Sequence, residues 1–189
     1  MKAKLGAVNA LYPSLTVLVG AVVHGRPNFI TVAHVGIVNL GQPQLLSISL
    51  RKARHTSIGI REHREFSICL PSEDMVAETD YVGMVSGKDT DKSEIFSLFK
   101  GGLPHAPLIA RCPVCMELTL RDTLDLETHD LFIGAVEATW ADEDVTLNGR
   151  VDFAKLRPLL YDPLHRYWSI GQVVADAWSV GKTLMKKDG

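Results

Sequence analysis

Short runs of β-branched or alternating apolar residues, each closed by turn-forming residues, recur along most of this chain and constrain its fold more than any other feature. Residues 15–23 carry Thr16, Val17, Val19, Val22 and Val23, and His24, Gly25, Arg26, Pro27 and Asn28 supply turn chemistry before a second strand over residues 29–35. That pair reads as a hairpin. After the break at Gly41 and Pro43, residues 44–50 alternate, with Leu46, Ile48 and Leu50 on one face and Ser47 and Ser49 on the other. Residues 65–70, 114–121 and 131–140 repeat the strand signal, and Asn148 with Gly149 marks a further hairpin. Helical stretches are few. Thr56 is placed to cap residues 57–63, and Ser72 starts a helix through Met75, Val76, Thr79, Val82 and Val85 that stops near Gly87. Asp91 and Glu94 form an acidic capping box ahead of residues 95–99. No regular strand–helix–strand alternation is present, so the fold class is mainly β with added helices, an antiparallel barrel rather than a doubly wound sheet.

At 189 residues the chain suits one domain, 1–189, with a sizeable core. Lysines and arginines are scattered and the formal charge is −2, which disfavours a nucleic-acid partner. The apolar run at 15–23 is about half of a membrane span and Gly20 interrupts it. Asn9, Tyr12 and Pro13 break any signal-peptide core. Three cysteines, an odd number, argue against a disulfide scaffold. The expectation is a soluble, cytoplasmic protein with no membrane partner.

Between residues 47 and 56 a strand bearing Ser47 and Ser49 runs into a basic turn with Arg51, Arg54 and His55, then into the helix begun by Thr56. A first helical turn exposes unpaired N–H groups and a partial positive charge, and Arg51, Arg54 and Thr56 could add contacts to a phosphate. The same arginines could serve solubility alone. A polar loop at 86–92 brings Lys88 and Lys92, which either reach that anion or belong to a solvated linker. No GxGxxG opens a helix after a strand, and neither GxxxxGK[ST] nor GxSxG occurs, so a Rossmann site, a P-loop and a serine triad all lack support. Cys112 and Cys115 have CxxC spacing, but no second CxxC or histidine pair joins them. If residues 112–121 are extended, their thiols point to opposite faces. Cys69 reads as a small core residue. His129, beside Asp130 at the mouth of a strand, is placed for a proton donor or a ligand contact, or is simply an exposed turn histidine. The other histidines show no HExxH-like pairing, so no metal is expected.

The order of these segments resembles the flavin reductase-like FMN-binding split-barrel family, and within it the flavoredoxin branch. The resemblance runs from residues 26–33 and 43–50, through Arg54, His55 and Thr56, to residues 65–71, 86–92 and 129–136, and ends at Tyr161, Tyr167 and Trp168. It implies an antiparallel Greek-key split β-barrel that forms a homodimer, with FMN as cofactor near the interface. It further implies that Asn28, Ile30, Thr31, Val32 and Ala33, with Ser47, Ile48, Ser49 and Leu50, line the isoalloxazine. By the same resemblance Arg54, His55, Thr56 and Lys92 hold the phosphate, His129 lies near the reactive face, and Tyr167 with Trp168 covers the ring from the partner subunit. The implied activity is that of a flavoprotein oxidoreductase, taking hydride from NAD(P)H onto FMN and passing electrons to an unidentified acceptor. Flavoredoxin-type electron carriage, fed by a redox protein and without a nicotinamide site, is the alternative. His34 and Cys115 depart from the family pattern.

Overall fold

The computed structural model describes residues 1–185. Along the chain come β1 (Ser14–Leu15), β2 (Val17–Val23), β3 (Arg26–Val32), β4 (Val35–Asn39), β5 (Leu45–Arg51), α1 (Thr56–His63), β6 (Glu65–Leu70) and α2 (Val76–Met84). There follow β7 (Leu98–Phe99), β8 (Leu108–Ile109), β9 (Val114–Asp125), β10 (His129–Ala141), β11 (Thr146–Leu147), β12 (Arg150–Val151), α3 (Phe153–Leu156), β13 (Leu160–Asp162) and β14 (Arg166–Trp168). One antiparallel sheet of seven strands, ordered β3-β2-β6-β9-β10-β5-β4, dominates the fold.

The curl of that sheet follows from its connectivity. β3 and β4 stand at opposite ends of the strand order, yet only Ala33 and His34 separate them in the chain. Two linking residues span at most about 11 Å between the flanking Cα atoms. The two edges must therefore approach each other without pairing, which is the open seam of a split barrel. Val17, Val19 and Ala21 of β2, Phe66 of β6, Leu118 of β9, Phe132 of β10 and Ile48 of β5 fill the interior. A second cluster lies where α2 and the 96–112 segment cover the outside of the sheet: Leu18, Phe29, Met75, Val82, Leu108 and Ile109. β2 is thus buried on both faces, which is why its sequence is continuously apolar rather than alternating.

Both hairpins obey the expected turn chemistry. His24 (φ 50°) and Gly25 (φ 78°) join β2 to β3, and Asn148 (φ 52°) and Gly149 (φ 71°) join β11 to β12, as two-residue turns of positive φ require. The first turn is tighter than the sequence suggests, since Arg26, Pro27 and Asn28 already belong to β3. The strand ends at Val32, and a separate edge strand, β4, was hidden by the continuous apolar text around it. Thr56 opens α1 as its first residue rather than its cap, a position held by His55. A 3-10 turn, Glu73–Met75, precedes α2, which ends at Met84. Asp91 does cap, accepting from Ser93 N at 2.9 Å, but what it caps is a 3-10 turn, Lys92–Ile95, followed by β7.

The divergence expected of Cys112 and Cys115 is corrected by the structure. β9 begins only at Val114, so Cys112 lies in the preceding bend and the even–odd rule for strands does not reach it. Cys69, Cys112 and Cys115 are all buried in the outer cluster.

Candidate functional site

β3 carries two adjacent clefts along its length. Ile30, Thr31, Val32 and Ala33 line the larger, of about 660 Å³, with Ser49 and Leu50 of β5, Arg51, Arg54, His129 and Tyr167. Arg26, Pro27 and Asn28 line the smaller, of about 490 Å³, with His24, His55, Gly87, Lys88 and Lys92. Arg54 and His55, consecutive at the entry to α1, face one cleft each.

Three contacts build this junction. Asn28 Nδ2 donates to Thr56 Oγ1 at 2.7 Å, both side chains being buried, and so ties β3 to the first residue of α1. Gly59 lets the helix sit flat on β2, because a Cβ there would land on the Val22 carbonyl. Lys92, only 4 % exposed, donates from Nζ to Val82 O at 2.8 Å at the C-terminal end of α2. Burial, and then the charge of Arg54, bring the Lys92 ammonium down to about 8. Burial likewise lowers His55, followed by the charges of His24, Lys88 and Lys92. A group of cations that depress one another is a site prepared for an anion.

The buried polar atoms left over agree. His55 Nδ1 and Ser57 Oγ, at the first turn of α1, have no hydrogen-bond partner among the described residues. His55, as N-cap residue, makes no side-chain cap bond, so the helix terminus is not closed by its own side chain. Thr16 Oγ1, buried on the wall of the larger cleft, also lacks a partner. Burying such groups without partners costs about 1–3 kcal/mol each, a cost a bound polar ligand removes.

Around the larger cleft, His129 pairs with Arg51 across the β10–β5 ladder. Thr128 Oγ1 lies 2.8 Å from His129 Nδ1, and the His34 ring stands 6.0 Å away, centroid to centroid. Tyr12 OH lies 3.3 Å from His34 Nε2. Burial lowers the His34 pKa, and the charges of His129 and Arg51 lower it further. On the opposite wall Tyr167 OH donates to Asp80 at 3.0 Å, and Tyr161 lies 2.7 Å from His165 Nδ1. Burial, and then Asp80, push the Tyr167 hydroxyl well above its ordinary range, so it remains a donor.

Most of the expected site residues meet at these two clefts. Ser47 and Ile48 stand apart from them: Ile48 is fully buried in the barrel interior, and Ser47 faces the Gly36 carbonyl at 3.5 Å. Trp168 is half-exposed, with its indole N–H given to Asp162 at 2.8 Å and its ring under Arg166. Sequence reasoning gave no site role to Tyr12, Thr16, Asp80, Gly83, Tyr161 and His165, which reach the larger cleft from three separate segments. Only register could have found Arg51 as the neighbour of His129, and register is not written locally in either strand.

The flavoredoxin of Methanosarcina acetivorans superposes with a TM-score of 0.94 at 35% identity, covering 98% of this chain and 100% of that one. The flavoredoxin of Desulfovibrio vulgaris (Miyazaki F) gives 0.89 at 33% identity, covering 96% and 100%. An FMN-binding protein from Thermus thermophilus, solved with p-hydroxybenzaldehyde, gives 0.79 at 25% identity, covering 93% and 97%. Among curated relatives, an uncharacterised Aeropyrum pernix protein is 28% identical over 156 residues, and the match covers 80% of this chain but only 58% of that protein's length. Residues 9–169 match the family described as flavin reductase like domain, and with that span the chain belongs to this family.

Proposed function

We propose that this chain binds FMN and works as a flavoprotein oxidoreductase. The observation that carries the reading is the cation-rich junction at the start of α1, where His55 Nδ1 lacks a partner in the cleft it lines with Lys88 and Lys92, while Arg54, the residue before it, lines the neighbouring cleft of about 660 Å³. A phosphomonoester fits the first and a flat ring system the second. The Thermus thermophilus relative is an FMN-binding protein, which supports the same ligand.

Arg54, His55 and Lys92 would hold the phosphate, with Thr56 and Asn28 bracing the helix behind it. Ile30, Thr31, Val32 and Ala33, facing Ser49 and Leu50, would flank the ring and exclude water from it. FMN, when bound, supplies the hydride and single-electron chemistry, and the protein sets orientation and charge around it. The Thr128 contact occupies His129 Nδ1 and leaves Nε2 as the nitrogen free to exchange a proton in the cleft. NAD(P)H is the proposed hydride donor. The flavoredoxin relatives favour a second reading, in which a redox protein feeds the flavin and no nicotinamide site is needed.

The protein is further proposed to be a homodimer: Ile37 and Leu40, at and just past the edge strand β4, are 71% and 75% exposed, an apolar edge suited to a second copy. Among the described residues no helix is long and apolar enough to cross a membrane.

Rapid mixing of the FMN-loaded protein with anaerobic NADH or NADPH separates the two readings. Bleaching of the oxidised flavin band supports the reductase, with His129→Ala slowing the bleaching while FMN stays bound. Failure of both nucleotides, together with bleaching by a reduced redox protein, leaves the carrier.

A further inference from the structure

The three cysteines fall outside the proposed flavin site, and strand register sets two of them side by side. β6 and β9 run antiparallel with an unbroken register from Glu65↔Thr119 to Leu70↔Val114, so Cys69 and Cys115 are direct cross-strand partners on one face of the sheet. The hydrogen-bond phase of that ladder is fixed at its end by Leu120 N donating to Arg64 O at 2.8 Å. Residues 64 and 120 thus form a hydrogen-bonded pair. Counting along the ladder, the pairs alternate, and Cys69 with Cys115 falls on a non-hydrogen-bonded position. There the Cα atoms approach to about 4.5 Å and the side chains are closer than at the alternate positions, within the span that a disulfide bridges.

We propose that Cys69 and Cys115 form a cross-strand disulfide when the folded protein meets a peroxide. Cys69 and Cys115 are 0% and 1% exposed, so the oxidant must be small and uncharged, and hydrogen peroxide is of that class. In the first step one thiol is oxidised to a sulfenic acid as the peroxide O–O bond breaks and water leaves. The second thiol then attacks that sulfur, the S–O bond breaks, the S–S bond forms and a second water departs. The pair loses two electrons and two protons, and one peroxide is reduced to two waters. Cys112 also touches both of these thiols, but it lies in the bend before β9 and outside the paired register, 4% exposed, with its sulfur 4.0 Å from Met75 Sδ. The proposal does not depend on the flavin reading.

Peptide mapping of the whole protein tests it. The reduced protein is exposed to hydrogen peroxide while folded, then unfolded in acid, alkylated and digested without reductant. The expected result is that alkylatable thiols fall from three to one, the peptides of Cys69 and Cys115 are joined with the loss of two hydrogens, and Cys112 is recovered alkylated. The Cys112→Ala variant should give the same joined peptides. Recovery of three alkylated cysteines, or of Cys112 joined to either of the others, overturns the proposal. Because the wild-type protein gives the decisive peptides, misfolding of a variant leaves the result intact.

Discussion

Lys92 is the residue on which the phosphate assignment turns. In the ligand-free protein its ammonium is brought down to about 8, first by burial and then by Arg54, so it is charged below that pH and neutral above it. A phosphate is attracted only to the charged form. FMN affinity should therefore weaken as pH rises through about 8, and Lys92→Met should both bind more weakly and lose this step. Titrations followed by quenching of flavin fluorescence measure it, and wild-type affinity that stays flat from about pH 7 to about pH 9.5 would contradict the assignment. Arg54→Ala should weaken FMN by about 1.5–3 kcal/mol, roughly ten- to a hundredfold or more, through one lost charge-assisted contact. A change of less than twofold would place the phosphate elsewhere.

At the scale of the element, α1 rests on β2 without a side chain between them, and that contact sets where the proposed phosphate-binding residues stand. Gly59→Ala should raise helix propensity by about 1 kcal/mol, yet its methyl group meets the Val22 carbonyl and the Val23 side chain. Overpacking of this kind costs about 1–3 kcal/mol, so the variant should be less stable in urea and should bind FMN more weakly as α1 is pushed off the sheet. Net stabilisation would show that the helix is free to shift. The elements differ in how far the sequence announces them. The alternation of Leu46, Ile48 and Leu50 with Ser47 and Ser49, and the Asn148–Gly149 turn, are local signals, and both became the expected elements. β4 was missed because its boundary at Ala33 and His34 is made by sheet closure and not by a turn residue. The basic turn before α1 was legible for the same local reason as the hairpins. Much of the opposite wall of the cleft was not, since Tyr12, Thr16, Asp80 and His165 arrive from distant segments and meet only in the folded chain. The cysteine cluster failed for another reason: Cys112 lies one bend outside the strand that was extended over it.

For the whole molecule, the curled sheet leaves apolar residues exposed at and beside its β4 edge, and a second copy is the proposed cover. Sedimentation equilibrium should report about twice the 20.8 kDa chain mass, and a charged substitution such as Ile37→Glu should shift the population toward the monomer. A wild-type monomer at micromolar concentration would remove the dimer from the account. Fold, family and clefts converge on one ligand, and the most direct test is a titration of flavin-free protein with FMN, followed by the visible absorbance and fluorescence of the flavin. The account predicts saturable binding of about one FMN per chain with a perturbed flavin spectrum, in line with a concave, largely pre-formed site. FMN that keeps the spectrum and fluorescence of free flavin at every protein concentration would contradict it.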